Sequence, residues 1–162
     1  MLVYRIIKPA FAASGLSGEG ARRYGGRWNP PGITCVYAAG SRALAALELL
    51  VHASPELLRV EYLLLEIELP DALIETSLRP PPNWDELPAG AASQNFGANW
   101  LRQSLAGAKA ALAVPSILMP EETNYLLNPL HPAWRDVHVA KQRRFRLDPR
   151  LACASNMNVR QD

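Results

Sequence analysis

One arginine in this chain stands where a guanidinium can be held still. Arg27 lies in Tyr24-Gly25-Gly26-Arg27-Trp28-Asn29, followed by Pro30, Pro31 and Gly32. Adjacent glycines let the backbone take positive φ or pass close to a ligand, and the prolines fix their own φ and bias Asn29 away from helix. An arginine presented by such a loop matches carboxylate or phosphate oxygens two at a time, as a lysine point charge cannot. The competing reading is a tight turn whose arginine is solvated or paired within the protein. Glu48 is the second candidate, because a carboxylate on a mostly apolar helix must be paired, protonated or turned into a cleft, unless it lies on a narrow strip facing solvent. Tyr37, on a short apolar run, and Ser116, in Val114-Pro115-Ser116, complete the set. A tyrosine so placed equally packs in a core, and a serine so placed equally satisfies local backbone.

The elements that must position these residues follow from periodicity and punctuation. Leu2 to Ile7 predicts an opening strand ended by Pro9, with Arg5 pointing from it. Ala10 to Asn29 has no steady period and predicts a long, functional connection. Thr34 to Ala38 predicts a second strand with Tyr37 opposite Val36. Ser41 predicts an N-cap for a helix from Arg42 to His52, ended before Pro55. At 100° per residue its apolar positions cover most of the circumference, which predicts a buried helix, with Glu48 and His52 one turn apart on one edge. Glu61 to Leu69 alternates with a period of two and predicts a strand with one dry face. The prolines between Ser77 and Ala92 predict a surface loop, and Gln94 to Leu105 a helix weakened by Gly97. Ala110 to Met119 predicts an extended segment broken at Pro115, with an edge or bulge at Ser116. Asn124 to Leu127 predicts a turn and short strand, Asn128 to Trp134 a helical turn, and Arg143 to Leu147 a basic strand. Strands outnumber helices without alternating with them, so the class is α+β, a single domain with a mixed or antiparallel sheet core and flanking helices.

Composition narrows the function further. A chain of 162 residues is one ordinary domain that buries about two thirds of its unfolded surface. No apolar run is long enough to span a bilayer, and Met1 to Ile6 has neither a basic leader nor a cleavage site, so a soluble cytoplasmic chain is expected. Cys35 and Cys153 lie outside any CxxC spacing and predict buried or idle thiols. His52, His131 and His138 lack helical metal-site pairing, so no metal is expected. The late basic stretch, Lys141, Arg143, Arg144, Arg146 and Arg150, suits either a charged strand edge or an acidic or nucleic-acid partner. Stacking aromatics would accompany nucleic-acid binding, and only Phe145 is there, so direct binding is not expected.

No GxGxxG, Walker loop, GxSxG elbow or HExxH occurs. The order of Tyr4-Arg5-Ile6, Gly26-Arg27-Trp28-Asn29, Val36-Tyr37, Ala46-Leu47-Glu48, Val114-Pro115-Ser116 and Asn128-Pro129-Leu130-His131-Pro132 resembles the RES domain family, over residues 1–151, leaving 152–162 as a tail. Arg27, Glu48 and Ser116 match the arginine, glutamate and serine for which that family is named. The resemblance implies an ADP-ribosyltransferase-like fold and the toxin of a bacterial toxin–antitoxin pair. It implies NAD+ as substrate with no further cofactor, consumed by hydrolysis or phosphorolysis or, alternatively, used to ADP-ribosylate a protein. The partner it implies is an Xre-type helix-turn-helix antitoxin, and a homodimer within the complex is the working expectation. On that chemistry Glu48 is the anion beside the reacting ribose, Arg27 holds the pyrophosphate or its ribose, Tyr37 stacks on nicotinamide and Ser116 reaches the amide or ribose. Arg5 is a second phosphate ligand, and Trp28 is assigned to packing.

Overall fold

The structure is a computed structural model that describes residues 1–52, 59–148 and 150–151. Seven strands form one sheet: β1 Leu2–Ile7, β2 Val36–Ala39, β3 Tyr62–Glu68, β4 Ile74–Glu75, β5 Ala111–Pro115, β6 Thr123–Leu127 and β7 His138–Phe145. Their order is β4-β5-β6-β2-β1-β3-β7. Every neighbouring pair is antiparallel except β4–β5, so the sheet is mixed and the class is α+β. Among the described residues three α-helices accompany it: α1 Glu19–Tyr24, α2 Arg42–Leu50 and α3 Ala91–Ser104.

The period of two sorts the strand residues into two faces. Val3, Ile7, Val36, Ala38, Leu65, Ile67, Ala111, Tyr125 and Leu127 share one core cluster with Leu69, Ile74 and Val137. Leu112, Val114 and Leu126 point the other way and pack with Trp28, Trp100 and Leu101, the last two from α3. Ala39 on that second side packs with Leu44 and Ala45 of α2, against which Tyr4 and Ile6 also lie. Two helices therefore cover different parts of one face, with a gap between them.

Several expectations need correction. The segment before Asn29 is not structureless: it holds a 3-10 turn, Pro9–Ser14, and the short helix α1. So short a helix is marginal by propensity; Arg22 donates to Glu19 at 2.7 Å and Asn29 Nδ2 donates to the Ala21 carbonyl at 2.8 Å, contacts a periodicity argument does not see. Ser41 does cap α2, its Oγ accepting from the Leu44 N–H at 3.0 Å. That helix is not buried all round, however, since only Leu44 and Ala45 are. Part of its apolar surface turns toward the gap, where Leu49, with Ala45 and with Val51 just past the helix, lines a cleft. Pro55 lies outside the described residues, as do Cys153 and the tail from Ala152. β3 is not dry on one face alone: Leu64 and Leu65, which alternate to opposite faces, are both fully buried, Leu65 within the first core cluster.

Gly97 is no weakness in α3. A Cβ there would lie 2.0 Å from the Trp28 carbonyl oxygen, so its absence is what lets the helix close onto the Trp28 loop. Pro115 ends β5 without breaking the sheet. Ser116 N–H donates to Glu122 O toward β6 at 3.0 Å, so by alternation the missing N–H at 115 faces away, where β4 no longer runs alongside. The basic strand is longer than Arg143 to Leu147 and forms the exposed sheet edge, β7. Among the described residues no helix is long and apolar enough to cross a membrane.

Candidate functional site

The gap between α2 and α3 is a cleft of about 960 Å³, at the upper end of the ~300–1,000 Å³ usual for small-molecule sites. Tyr4, Arg5, Gly26, Arg27, Tyr37, Glu48 and Asn124 are among its lining residues. Residues far apart in sequence are thus brought to one wall each of a single space.

The glycine loop forms one wall, and its rigidity has identifiable causes. Gly25 takes φ 72°. A Cβ on Gly26 would meet the Tyr37 hydroxyl at 2.7 Å, so that position has no room for a side chain. Gly26 N–H donates to the Asn29 carbonyl at 2.8 Å, and the fully buried Asn29 side chain donates to Ala21 O and Ile33 O at 2.8 and 3.0 Å. Trp28, 2% exposed, stacks on Trp84 at 5.6 Å between centroids and meets Phe96 edge-on, which fits the packing role expected of it. Arg27 is thereby fixed, and half of the competing reading of it holds: Nη1 donates to the carbonyls of Trp84 and Glu86 in the proline-rich loop, at 2.8 and 3.0 Å. Nε and Nη2 donate to nothing among the described residues and remain for a ligand in the cleft.

Tyr37 supports that wall from β2. Its hydroxyl donates to Asn29 Oδ1 at 2.7 Å and accepts from the Trp28 N–H at 3.0 Å. Burial pushes the phenol well above its ordinary value, so it stays neutral. The hydroxyl is therefore committed to the loop, and what Tyr37 offers the cleft is its ring.

Arg5 lies where the sheet splits. β1 and β2 pair at Tyr4↔Ala39 alone, and the Tyr37 carbonyl accepts from Arg5 Nη1 at 2.6 Å while Arg5 Nε donates to Gly15 O at 3.1 Å. Burial draws this guanidinium below its usual value, the direction expected of a cation taken out of water without a counter-charge. No carboxylate pairs with Arg5 or Arg27 among the described residues.

Glu48, on α2, lines the same cleft as the two arginines. Its Oε1 accepts from Ser116 Oγ at 2.8 Å and from Asn124 Nδ2 at 2.6 Å. Ser116 is itself fully buried, and its Oγ also accepts from the Leu118 N–H at 3.1 Å. The serine thus reaches the site through Glu48, without a face on the cleft. Asn124 was missed by the sequence reading. Its signal was a poor strand former in mid-strand, paired to Ala39 on one side and Val114 on the other. Gln94, which ties α3 to Gly26 O at 3.1 Å, was missed as well. At the mouth stand the exposed side chains of Tyr24, Leu87 and Val51. No group of three or more His, Cys, Asp or Glu side chains that could hold a metal occurs among the described residues.

Comparison with known proteins places this chain in a family. The RES domain family model matches residues 2–148. A relative from Sphingobium sp., named Prs ADP-ribosylating toxin, is 44% identical over 87% of this chain and 89% of its own length. A protein of Yersinia enterocolitica named Toxin Res is 40% identical over 93% of this chain and 99% of its own. Among solved structures, the M. tuberculosis MbcT-MbcA toxin–antitoxin complex matches with a TM-score of 0.71 at 20% identity, over 94% of this chain and 87% of that one, a likeness of fold. The chain belongs to the RES domain family.

Proposed function

We propose that this RES-domain chain is the toxin of a toxin–antitoxin module, and that it consumes NAD+ by breaking the bond between nicotinamide and ribose. The observation that carries the reading is the division of charge in the cleft. One fixed carboxylate, Glu48, shares the cleft with two guanidiniums, Arg5 and Arg27, that have no carboxylate partner among the described residues. A dinucleotide has the complementary pattern, an anionic pyrophosphate at one place and a ribose that becomes cationic at another. The names of the relatives, toxins that include an ADP-ribosylating one, agree with it.

Arg5 and Arg27 bind and orient the pyrophosphate, and the Tyr37 ring lies where it can stack on nicotinamide. As the C1′–N bond breaks, its electron pair leaves with the ring nitrogen, which becomes neutral, and positive charge develops on C1′ and the ring oxygen. Glu48 stabilises that charge from a position fixed before reaction, in the manner of glycoside cleavage. A water or phosphate oxygen then bonds to C1′, and a water's surplus proton passes to solvent. In the second reading a protein side chain is the acceptor, which the name of the 44% identical relative favours. The antitoxin is proposed to be of the Xre helix-turn-helix type, and a homodimer of the toxin to form within their complex.

Mass spectrometry of every product, after incubating the purified protein with NAD+ with and without phosphate, tests this. ADP-ribose, its phosphate, or label on a protein band separates the acceptors. Glu48→Gln and Arg27→Ala are expected to lower nicotinamide release by about a hundredfold or more, while Arg150→Ala, which removes an exposed ion pair with Asp148, leaves it unchanged. An intact NAD+ pool with wild-type protein under all these conditions sinks the reading.

A further inference from the structure

The two hydrogen bonds received by Glu48 both fall on one oxygen. Oε1 takes Ser116 Oγ at 2.8 Å and Asn124 Nδ2 at 2.6 Å, whereas Oε2 has no partner among the described residues. The donors come from neighbouring strands: Ser116 follows β5, and Asn124 stands in β6, locked by its pairing to Ala39 and Val114. A carboxylate on a half-buried helix end has free torsions, and two donors on one oxygen remove them. We infer that Asn124 is a positioning residue for Glu48, which with Ser116 anchors Oε1 and so presents Oε2 as the oxygen that meets the ribose.

This rests on the NAD+ reading above, but it makes a separate demand. If Oε2 is the working atom, losing Asn124 leaves ground-state binding of the substrate by Arg5 and Arg27 intact and misplaces the charge needed only at the transition state. The loss then appears in kcat with little change in KM. The amide has a second chemical consequence. An aspartate at 124 has the same shape but donates only while protonated, and two ionised carboxylates cannot share so short a contact. Other charged or titratable groups lining the cleft are His52 just past α2, Tyr4 and Arg5 on β1, Tyr24 at the end of α1, Tyr37 on β2 and Arg27 in the glycine loop. They are common to wild type and variant, so a difference between the two profiles belongs to position 124.

The test measures initial rates of nicotinamide release over a range of NAD+ concentrations for the full chain, Asn124→Ala and Asn124→Asp, with melting temperatures alongside. Asn124→Ala is expected to lower kcat about tenfold to a hundredfold, the effect of one hydrogen bond to a charged group, with KM within about twofold. Asn124→Asp is expected to work best at about pH 5.5 and to lose activity relative to wild type as the pH rises toward about 8.5. It also serves where the alanine variant melts too early to assay. An unchanged kcat in Asn124→Ala, a loss confined to KM, or an Asn124→Asp profile parallel to wild type overturns the assignment while leaving the NAD+ reading standing. A wild type that releases no nicotinamide overturns both.

Discussion

At the scale of the residue, the site works by leaving some groups short of partners while others are saturated. Arg5 is the clearest case, because its carbonyl contacts fix the guanidinium without neutralising it. On the NAD+ reading Arg5→Lys keeps the charge and loses the fork that bonds Gly15 O and Tyr37 O together. Its KM is expected to rise about tenfold or more with a smaller change in kcat, read from the same nicotinamide-release kinetics. Cys35 behaves in the opposite way. It is 1% exposed, and burial pushes its thiol up to about 12. Between the ordinary thiol value and about 12 the folded chain keeps a proton that the unfolded chain has released. The stabilisation from Cys35 is therefore complete below the ordinary value and lost as the pH climbs through that window. Between about pH 8 and about pH 10.5 the unfolding free energy from urea titration should fall further for wild type than for Cys35→Ala, by about 2 kcal/mol. Equal losses would mean that the thiol is not so placed.

At the scale of the element, close approach between α3 and the Trp28 loop decides where the cleft's wall stands. Gly97→Ala places a Cβ 2.0 Å from a backbone oxygen that cannot swing aside. Destabilisation of about 1–3 kcal/mol or more is expected in urea unfolding, together with weaker NAD+ binding as Arg27 moves; a neutral effect would show that α3 is free to shift. This glycine also shows where local reading of a chain stops. By propensity it counts against a helix, and its reason is a neighbour some seventy positions earlier, about which no local rule has information. What was legible was local: the first strand from its β-branched run, the cap at Ser41 from a hydroxyl three residues ahead of the N–H it serves, and the glycine loop from its punctuation. The burial of α2 was misread because an apolar side that lines a cleft and one that faces a core look alike in sequence. Glu48 was legible as an oddity on an apolar helix, whereas Asn124 depended on knowing that β6 is flanked by β2 and β5. The helix α1 was hidden for a related reason, since Asn29 and the Glu19–Arg22 pair hold it and periodicity does not.

At the scale of the whole molecule, the sheet ends unequally. One edge is the two-residue β4, too short to template another strand; the other is β7, eight residues long and exposed along nearly its whole length. Such an edge offers a row of unpaired backbone groups to any extended chain, a second copy included. Its side chains supply the opposing force. Arg144 and Arg146 are tied to Glu61, at 3.5 and 3.1 Å, but among the described residues Lys141 makes no ion pair, and Arg143 lies over the Phe145 ring. An antiparallel pairing of two β7 strands would bring these cations together, and the repulsion would oppose the ladder. Replacing Lys141 and Arg143 by threonine keeps β propensity and removes that repulsion. The double variant is expected to self-associate as concentration rises, seen as an increasing mass in sedimentation or light scattering, with NAD+ turnover per chain unchanged because neither residue lines the cleft. High salt should bring wild type part of the way toward the same behaviour, since screening weakens exposed charges at these separations. A double variant that stays at the wild-type mass at every concentration and salt would mean that the backbone of β7, by its twist or its bulge near Glu66 and Ile67, already refuses a partner without help from its charges.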